Sequence, residues 1–261
     1  MEKGSGYLQT ESLLLPINLT NGLSMEVNQY EEYDRIFVAL DCIIFGFDRQ
    51  NLNLLLIKRD FEPEKGKWSL MGGFLNKDES LDDAANRILY ELTGLKNIYL
   101  EQLHGFGSVD RDPVDRTVSI AYYALINIHD HDEDLSSDYQ AKWFPIDEVP
   151  DLIFDHEEMV EAAKERLRYK ASNQPVGFEL LPDKFTLPEL QQLYEVIYET
   201  EFDKRNFRRR MLSMDVLEKT NEKQKKYSKK GAFLYKFNGE KYDRHVKKDG
   251  ASAMKFKPPN A

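Results

Sequence analysis

Three charged residues between two glycines form the part of the sequence best suited to chemistry. Glu79, Arg87 and Glu91 lie between Gly73 and Gly94, and their separations place Arg87 and Glu91 one helical turn apart. Mg²⁺ at a diphosphate is commonly held by one or two carboxylates together with substrate oxygens. Chemistry that uses two metal ions requires more carboxylates than this stretch supplies. An ordinary amphipathic helix that ends at Gly94 would also explain the pattern.

The spacing of these five residues resembles the Nudix box, the sequence motif of the Nudix family. Catalytic members of that family carry two further glutamates, at the positions that Ile88 and Leu92 occupy here. Ile88 and Leu92 instead belong to an apolar repeat at helical spacing, which is typical of a core-facing stripe. We therefore predict a non-catalytic Nudix-like helix with no catalytic residue and no cofactor. Glu79 and Glu91 remain the residual candidates for metal binding.

Segments rich in β-forming residues surround this helix. Ile36–Phe47 is almost continuously apolar, as expected of a strand that is buried on both faces. Further strands are predicted at 54–59, 99–109, 116–128 and 143–146. Asp155, with Glu158 three residues later, is predicted to begin a helix that closes the domain.

Five residues near the predicted strand ends and loops could bind a ligand: Asp41, Arg59, Trp68, Arg111 and Asp112. Asp41 interrupts a buried strand, where a carboxylate is costly unless it is paired or contacts a ligand. An aromatic face with polar neighbours suits a sugar or a base. Core packing of Trp68, a turn at 110–113 and a local hydrogen bond to Asp41 are the alternative explanations.

The charge of the chain is unevenly distributed. The net charge is −10 overall, with −20 in residues 1–200 and +10 in residues 201–261. Such asymmetry indicates a basic appendage that binds a polyanion, although a solvated lysine-rich tail is the simpler alternative.

The basic part has the pattern of two helices joined by a turn. Thr186 and Glu189 form a capping-box pair, and Asp203 can cap a second helix. Arginine pairs well with guanine and asparagine with adenine, so exposed cations and an asparagine early in that helix favour DNA recognition. The predicted DNA contacts are Lys204, Arg205, Asn206, Arg208, Arg209, Lys229 and Lys230. A hairpin turn at Asn238-Gly239, after the alternating Ala232–Phe237, is predicted to form a wing.

A degenerate Nudix box followed by a winged helix resembles the Nudix-related transcriptional regulators, or NrtR group. The stretches LDCIIFGF, SLMGGFLNKDES, DRDPVDR and DKRNFRRR are most similar to its arabinose-responsive, sugar-catabolism branch. The resemblance covers about residues 34–243. It implies an α+β fold, in which a Nudix α/β/α sandwich with a mixed sheet precedes a C-terminal winged helix-turn-helix domain. It also implies a homodimer that binds operator DNA and a small-molecule sugar, L-arabinose or a related pentose, while other branches respond to ADP-ribose.

The domain boundaries follow from these patterns. We predict a flexible N-terminal extension at 1–33, an effector-binding Nudix-like domain at 34–172, and a linker, winged helix and tail at 173–261. Two domains agree with the length of 261 residues.

The remaining features place the chain among globular proteins of a reducing compartment. A single cysteine, Cys42, excludes an intrachain disulfide framework and is expected to be buried. No apolar segment is long enough to span a bilayer, so a cytoplasmic protein without a membrane partner is predicted. The acidic run 129–134 is interpreted as a solvated loop rather than a metal site.

Two other functional classes fit the same sequence. A Nudix hydrolase of ADP-ribose or a related nucleotide could use Glu79 and Glu91 with a carboxylate from elsewhere. An RNA-binding or scaffold protein could use the basic region for general contact with a polyanion.

Overall fold

The computed structural model describes residues 33–131, 135, 139–173, 181–225 and 231–249. Residues 36–261 form one compact unit. The predicted N-terminal extension, apart from Tyr33, lies outside the described residues, as do Lys229, Lys230 and residues 132–134 of the acidic run.

A mixed β-sheet is the framework of the larger domain, as predicted. Its strands are β1 (Phe37–Phe47), β2 (Leu52–Lys58), β3 (Trp68–Ser69), β4 (Met71–Phe74), β5 (Glu101–Phe106), β6 (Thr117–Asn127) and β7 (Lys142–Pro145). The order is β3-β2-β1-β6-β5, while β4 pairs with β1 and β7 with β2. β1 and β6 are parallel along their whole length, from Phe37 opposite Thr117 to Phe47 opposite Asn127. The other strand pairs of this sheet are antiparallel.

One helix covers each face of the sheet, which completes the predicted α/β/α sandwich. α1 (Leu81–Thr93) packs with Leu40, Cys42 and Ile44 of β1, and α2 (His156–Asn173) packs on the opposite face with the odd-numbered residues of that strand. Successive side chains of a strand point to opposite faces. Asp41 therefore lies on the α2 face.

Both ends of α1 are capped, and the end at Gly94 is the one that the sequence predicts. The Ser80 side chain accepts a hydrogen bond from the Asp83 backbone N–H, and Gly94 ends the helix with a φ of 81°. Glycine adopts this left-handed conformation without a steric penalty. Cys42 is buried beside α1, and burial raises the pKa of its thiol, so it serves as a small core residue, as predicted.

A smaller domain follows, with helices α3 (Leu187–Tyr198), α4 (Lys204–Ser213) and α5 (Gly239–Asp249). A sheet in the order β8-β10-β9 joins β8 (Phe185–Thr186), β9 (Leu217–Gln224) and β10 (Ala232–Phe237). The capping box of Thr186 and Glu189 and the Asp203 cap of α4 are both confirmed. Helix, turn, helix and a strand pair give the predicted winged-helix arrangement.

The position of the wing turn differs from the prediction. β10 pairs with the preceding β9, so the connection of this strand pair lies between Gln224 and Ala232 and not at Asn238-Gly239. Asn238 instead caps α5: its side chain accepts from the Lys241 N–H at 2.9 Å and its carbonyl from the Tyr242 N–H at 3.1 Å. Asparagine is common both in turns and at helix N-caps, and here Asn238 caps α5.

The two domains share one hydrophobic core. A continuous cluster runs from Phe45 and Phe47 of β1 through Met159 and Leu167 of α2 to Leu190 of α3. Within the described residues, no helix combines the length and apolar character needed to cross a bilayer.

Candidate functional site

A cavity of about 250 Å³ lies between the sheet, α1 and the start of α2. Four of the five predicted ligand residues line it: Asp41, Arg59, Arg111 and Asp112. β1 supplies Asp41, the segment after β2 supplies Arg59, and the β5–β6 loop supplies Arg111 and Asp112. The fold therefore brings together side chains that are up to 71 positions apart in the sequence.

Asp41 is buried and has polar neighbours on several sides. Its carboxylate accepts a hydrogen bond from Ser119 Oγ at 2.6 Å, and it lies 3.6 Å from the Arg111 guanidinium and 3.5 Å from His156 Nε2. Gly72 provides the space, because a Cβ there would lie 2.4 Å from Asp41 Oδ1. The carboxylate is thus compensated without a ligand, as a buried charge must be.

Arg111 is buried beside Asp41 and is bound chiefly by Asp155. Its Nε and Nη2 donate to the two Asp155 oxygens at 2.8 and 2.7 Å. Burial alone would lower the pKa of Arg111, but the hydrogen bonds that it donates to Asp155 and the charge of Asp41 raise it overall. The Asp155 side chain accepts from Arg111 instead of forming the predicted capping-box contact, although the helix does begin directly after it.

His156 lines the cavity but had no distinguishing feature in the sequence. Its Nδ1 accepts from the Leu70 N–H at 3.2 Å, so its Nε2 faces Asp41. Burial lowers the pKa of this imidazole, and the charge of Asp41 only partly opposes that effect. A neutral ring with its proton on Nε2 is the tautomer consistent with these contacts.

Four aromatic residues line the cavity: Phe61, Phe74, Tyr139 and Phe154. The Arg59 guanidinium lies 3.7 Å from the centre of the Phe61 ring and 5.3 Å from that of Phe154, and burial lowers its pKa. Trp68, predicted as the aromatic platform, does not line this cavity. Its ring packs edge-on against Phe144 at 4.7 Å, since its strand directs it towards the core.

Of the two carboxylates among the predicted ligand residues, that of Asp112 makes the weaker contacts within the protein. It accepts from the Val114 N–H at 2.9 Å and from Thr117 Oγ1 at 3.4 Å. The prediction of a simple turn at this position is compatible with these contacts, and the same turn places the carboxylate at the cavity.

The two glutamates of the box motif bind an arginine. Arg87 donates to the Glu79 carboxylate at 2.8 and 2.6 Å, to Glu91 at 3.2 Å and to the Phe74 carbonyl at 3.0 Å. The hydrogen bonds from Arg87 lower the pKa of Glu79 to about 2. Leu92, where catalytic relatives carry glutamate, lines the cavity with an apolar side chain, and Ile88 lies under Gly73.

These residues do not fit the metal site that the Nudix fold implies. Among the described residues, no three His, Cys, Asp or Glu side chains are grouped so as to bind a metal ion. Glu79 and Glu91 already share Arg87, and the aliphatic residues at the other two positions cannot coordinate Mg²⁺.

The predicted DNA contacts on α4 form an exposed basic face. Phe207 and Met211 are buried against α3, while Lys204, Arg205, Asn206, Arg208 and Arg209 are exposed. Arg209 donates to Asn206 Oδ1 at 3.1 Å. Two further cations, Lys219 and Lys223 of β9, lie 3.5 and 4.4 Å from the centre of the Phe233 ring. No motif singles them out, because their pairing depends on the strand register.

Comparison with known proteins identifies both halves of the chain. Residues 177–237 match the NrtR DNA-binding winged helix domain and residues 36–163 match the NUDIX domain. The ADPR responsive transcriptional repressor NtrR of Acinetobacter baylyi is 36% identical over 219 residues, which cover 82% of this chain and 87% of that protein. An ADP-ribose pyrophosphatase of Methanocaldococcus jannaschii is 32% identical over 56% of this chain and 81% of its own length.

A solved structure shares both domains. Shewanella oneidensis NrtR complexed with a 27mer DNA is 34% identical and superimposes with a TM-score of 0.69, over 79% of this chain and 95% of that one.

Proposed function

This chain belongs to the NrtR-type family of Nudix-fused winged-helix transcriptional regulators, and from that premise we propose that it is a repressor controlled by a small molecule. The winged helix binds operator DNA, and the Nudix domain binds the effector. The observation that carries the proposal is the pairing of a basic recognition helix with a Nudix cavity whose helix presents Leu92 in place of a carboxylate.

The recognition surface is the exposed face of α4. On this proposal Arg205, Asn206 and Arg208, exposed on α4, contact base edges, and the exposed Lys204 and Arg209 contact phosphates. Lys229 and Lys230, predicted as further DNA contacts, lie outside the described residues. A homodimer would present two such helices to the half-sites of a palindromic operator.

We propose that the effector contains a pentose ring. Asp41, Arg59, Arg111 and Asp112 provide charged hydrogen-bonding groups around a cavity that also offers the aromatic ring of Phe61. Such a lining suits a polyhydroxylated ring, whose hydroxyls both donate and accept hydrogen bonds. The pentose is either free, as in L-arabinose, or the terminal ribose of ADP-ribose.

Different observations favour these two sources. The volume of about 250 Å³ and the loss of carboxylates at Ile88 and Leu92 favour a free pentose, because a diphosphate would lack its usual metal partners. The name of the Acinetobacter baylyi relative favours ADP-ribose, and the comparisons give no support to L-arabinose or to a role in sugar use. We retain the free pentose as the first candidate because the argument for it comes from the residues that line the cavity of this chain.

Calorimetric titration with L-arabinose, D-ribose and ADP-ribose separates the two sources. The Asp112→Asn variant should bind the effector about tenfold more weakly, because a hydrogen bond to a charged group contributes roughly 1.5–3 kcal/mol and the lower end of that range corresponds to about tenfold in affinity. Asp110→Asn, an exposed position in the same loop, is the matched control and should bind normally. Binding of none of the three compounds would overturn the effector assignment.

We further propose that the domain does not hydrolyse its ligand. Arg87 neutralises both remaining glutamates of the motif, and neither side chain is free to act as a base. The alternative is a hydrolase of ADP-ribose. It predicts that AMP is released from ADP-ribose in the presence of Mg²⁺ and that Glu91→Gln abolishes this release. Turnover with that dependence would contradict our assignment.

A further inference from the structure

Helix α2 contacts both the effector cavity and the DNA-binding domain. At its start, His156 lines the cavity, and the preceding Asp155 binds Arg111. Towards its other end, Lys164 and Arg168 contact the helix-turn-helix. With a rise of about 1.5 Å per residue, its 18 residues span roughly 27 Å.

The contacts at the far end converge on Glu199, which ends α3. The Glu199 carboxylate lies 2.7 Å from Arg168 Nη2 and 3.0 Å from Lys164 Nζ. Arg168 Nε also donates to the Ile197 carbonyl at 3.1 Å, and Tyr198 Oη donates to the Arg168 carbonyl at 3.3 Å. Glu199 has a φ of 51°, the left-handed conformation of a helix C-cap, which is uncommon for a residue other than glycine.

The turn from α3 to α4 is rigidly connected to α3. Gln191 Nε2 donates to the Phe202 carbonyl at 2.9 Å, and Glu195 accepts from the Phe202 N–H at 2.9 Å. The Phe202 and Phe207 rings then stack, with their centres 5.7 Å apart. A displacement of Glu199 would therefore carry α4 with it.

The opposite end of α3 is less constrained by the sheet. A cavity of about 650 Å³ lies between the β1–β2 turn and the first turn of α3. Gln192 Nε2 reaches the Gln50 carbonyl across this gap at 3.4 Å, the upper limit of a hydrogen bond. The gap leaves room for α3 to move while α2 remains attached to it.

We propose that Glu199 is a positioning residue that couples effector binding to operator release through Arg168 and Lys164. This inference rests on the proposed function. A ligand that bonds to Arg111 competes with Asp155 and alters the first turn of α2, and the contacts of Glu199 pass that change to α3 and α4. A ligand can shift such an equilibrium only through its different affinities for the two arrangements.

The test measures operator affinity with and without effector in Glu199→Gln. Glu199 contacts neither the cavity lining nor the exposed face of α4, so effector affinity and effector-free operator affinity should stay within about twofold of the unmodified protein. The coupling ratio, commonly 5–150-fold in allosteric proteins, should fall below about twofold. Arg168→Gln should have the same effect.

Glu161→Gln is the matched control. Glu161 also binds Lys164, at 3.0 Å, but within α2 itself, so its loss should leave the coupling ratio intact. Unchanged coupling in Glu199→Gln, or equal losses in Glu199→Gln and Glu161→Gln, would overturn the inference. Failure of L-arabinose and ADP-ribose to release the unmodified protein would overturn the proposed function instead.

Discussion

Asp155 binds Arg111 through two hydrogen bonds of 2.8 and 2.7 Å, joining the residue before α2 to the β5–β6 loop. Arg111 is almost completely buried, and the Asp41 carboxylate lies 3.6 Å from it. Arg111 therefore compensates the charge of two carboxylates at the cavity. Through Asp155 it also holds the start of α2. A change in this cluster reaches both the ligand site and the helix that leads to the DNA-binding domain.

Removal of the buried cation should strongly destabilise the protein. Arg111→Met leaves Asp41 and Asp155 without their shared partner, and the loss of one member of a buried ion pair costs about 3–5 kcal/mol. Urea denaturation measures the change in the free energy of unfolding. Arg244→Met, at an exposed arginine of α5, should change it by less than about 0.5 kcal/mol. Similar values for the two variants would contradict the assignment of Arg111 as the cation of this cluster.

Gly72→Ala should displace Asp41. The added Cβ would lie 2.4 Å from Asp41 Oδ1, and the carboxylate cannot move freely because Ser119 and Arg111 contact it. Overpacking of this kind costs about 1–3 kcal/mol, and effector affinity should fall as well. At Gly105 the nearest atom to an added Cβ is 3.4 Å away, so Gly105→Ala should cost less than about 1 kcal/mol. Equal stability of the two alanine variants would contradict the close approach of Gly72 to the Asp41 carboxylate.

The stability of the protein should decrease as the pH falls below about 6.5. Burial lowers the pKa of folded His156 from its usual 6.5, so the unfolded chain binds a proton that the folded chain does not. Facing this ring are Asp41, Asp155, Arg111 and Arg59. The limiting slope from one such group is about 1.4 kcal/mol per pH unit.

His156→Asn tests this origin of the pH dependence. Asparagine keeps an acceptor for the Leu70 N–H but does not titrate, so the slope between pH 7 and pH 5 should become shallower. Denaturation midpoints at several pH values supply the comparison. An identical slope in the variant would show that another group is responsible.

Arg205→Ala and Arg208→Ala should weaken and relax operator recognition. A bidentate arginine contact to guanine contributes about 1–3 kcal/mol of discrimination against the wrong base. Fluorescence anisotropy on promoter fragments next to the gene, against random DNA, measures both affinity and specificity. Lys96→Ala, on the effector domain, should leave both unchanged. Equal affinity for promoter and random DNA, unaffected by the arginine variants, would favour the alternative of a general polyanion-binding protein.

The larger features of the fold follow from local patterns in the sequence. The apolar run of β1, the capping box at Thr186 and the cap at Asp203 each depend on residues within a few positions, and all three are confirmed. The short strands β3 and β4 are absent from the predicted strands because two to four residues show no periodicity. The domain boundaries at 33 and 172 stay predictions.

The candidate site was less predictable because its contacts are distant in the sequence. Asp41 could be singled out as a charge within a buried strand, but its partners depend on the register of β1 with β6 and on the place where α2 begins. The positions of His156 at the cavity and of Asp155 beside Arg111 depend on where α2 begins, so the sequence did not reveal them. Trp68 was proposed from its residue type, which does not reveal to which face a short strand directs the side chain, and it does not line the cavity.

The most direct test is whether L-arabinose or ADP-ribose releases the protein from a promoter fragment next to the gene. Fluorescence anisotropy of the DNA, measured during titration with each compound, reports the release. We predict that one pentose-containing compound lowers operator affinity at least fivefold without being consumed, and that Asp112→Asn shifts the release to about tenfold higher concentration. Release by neither compound, or release that requires hydrolysis of ADP-ribose, would contradict it.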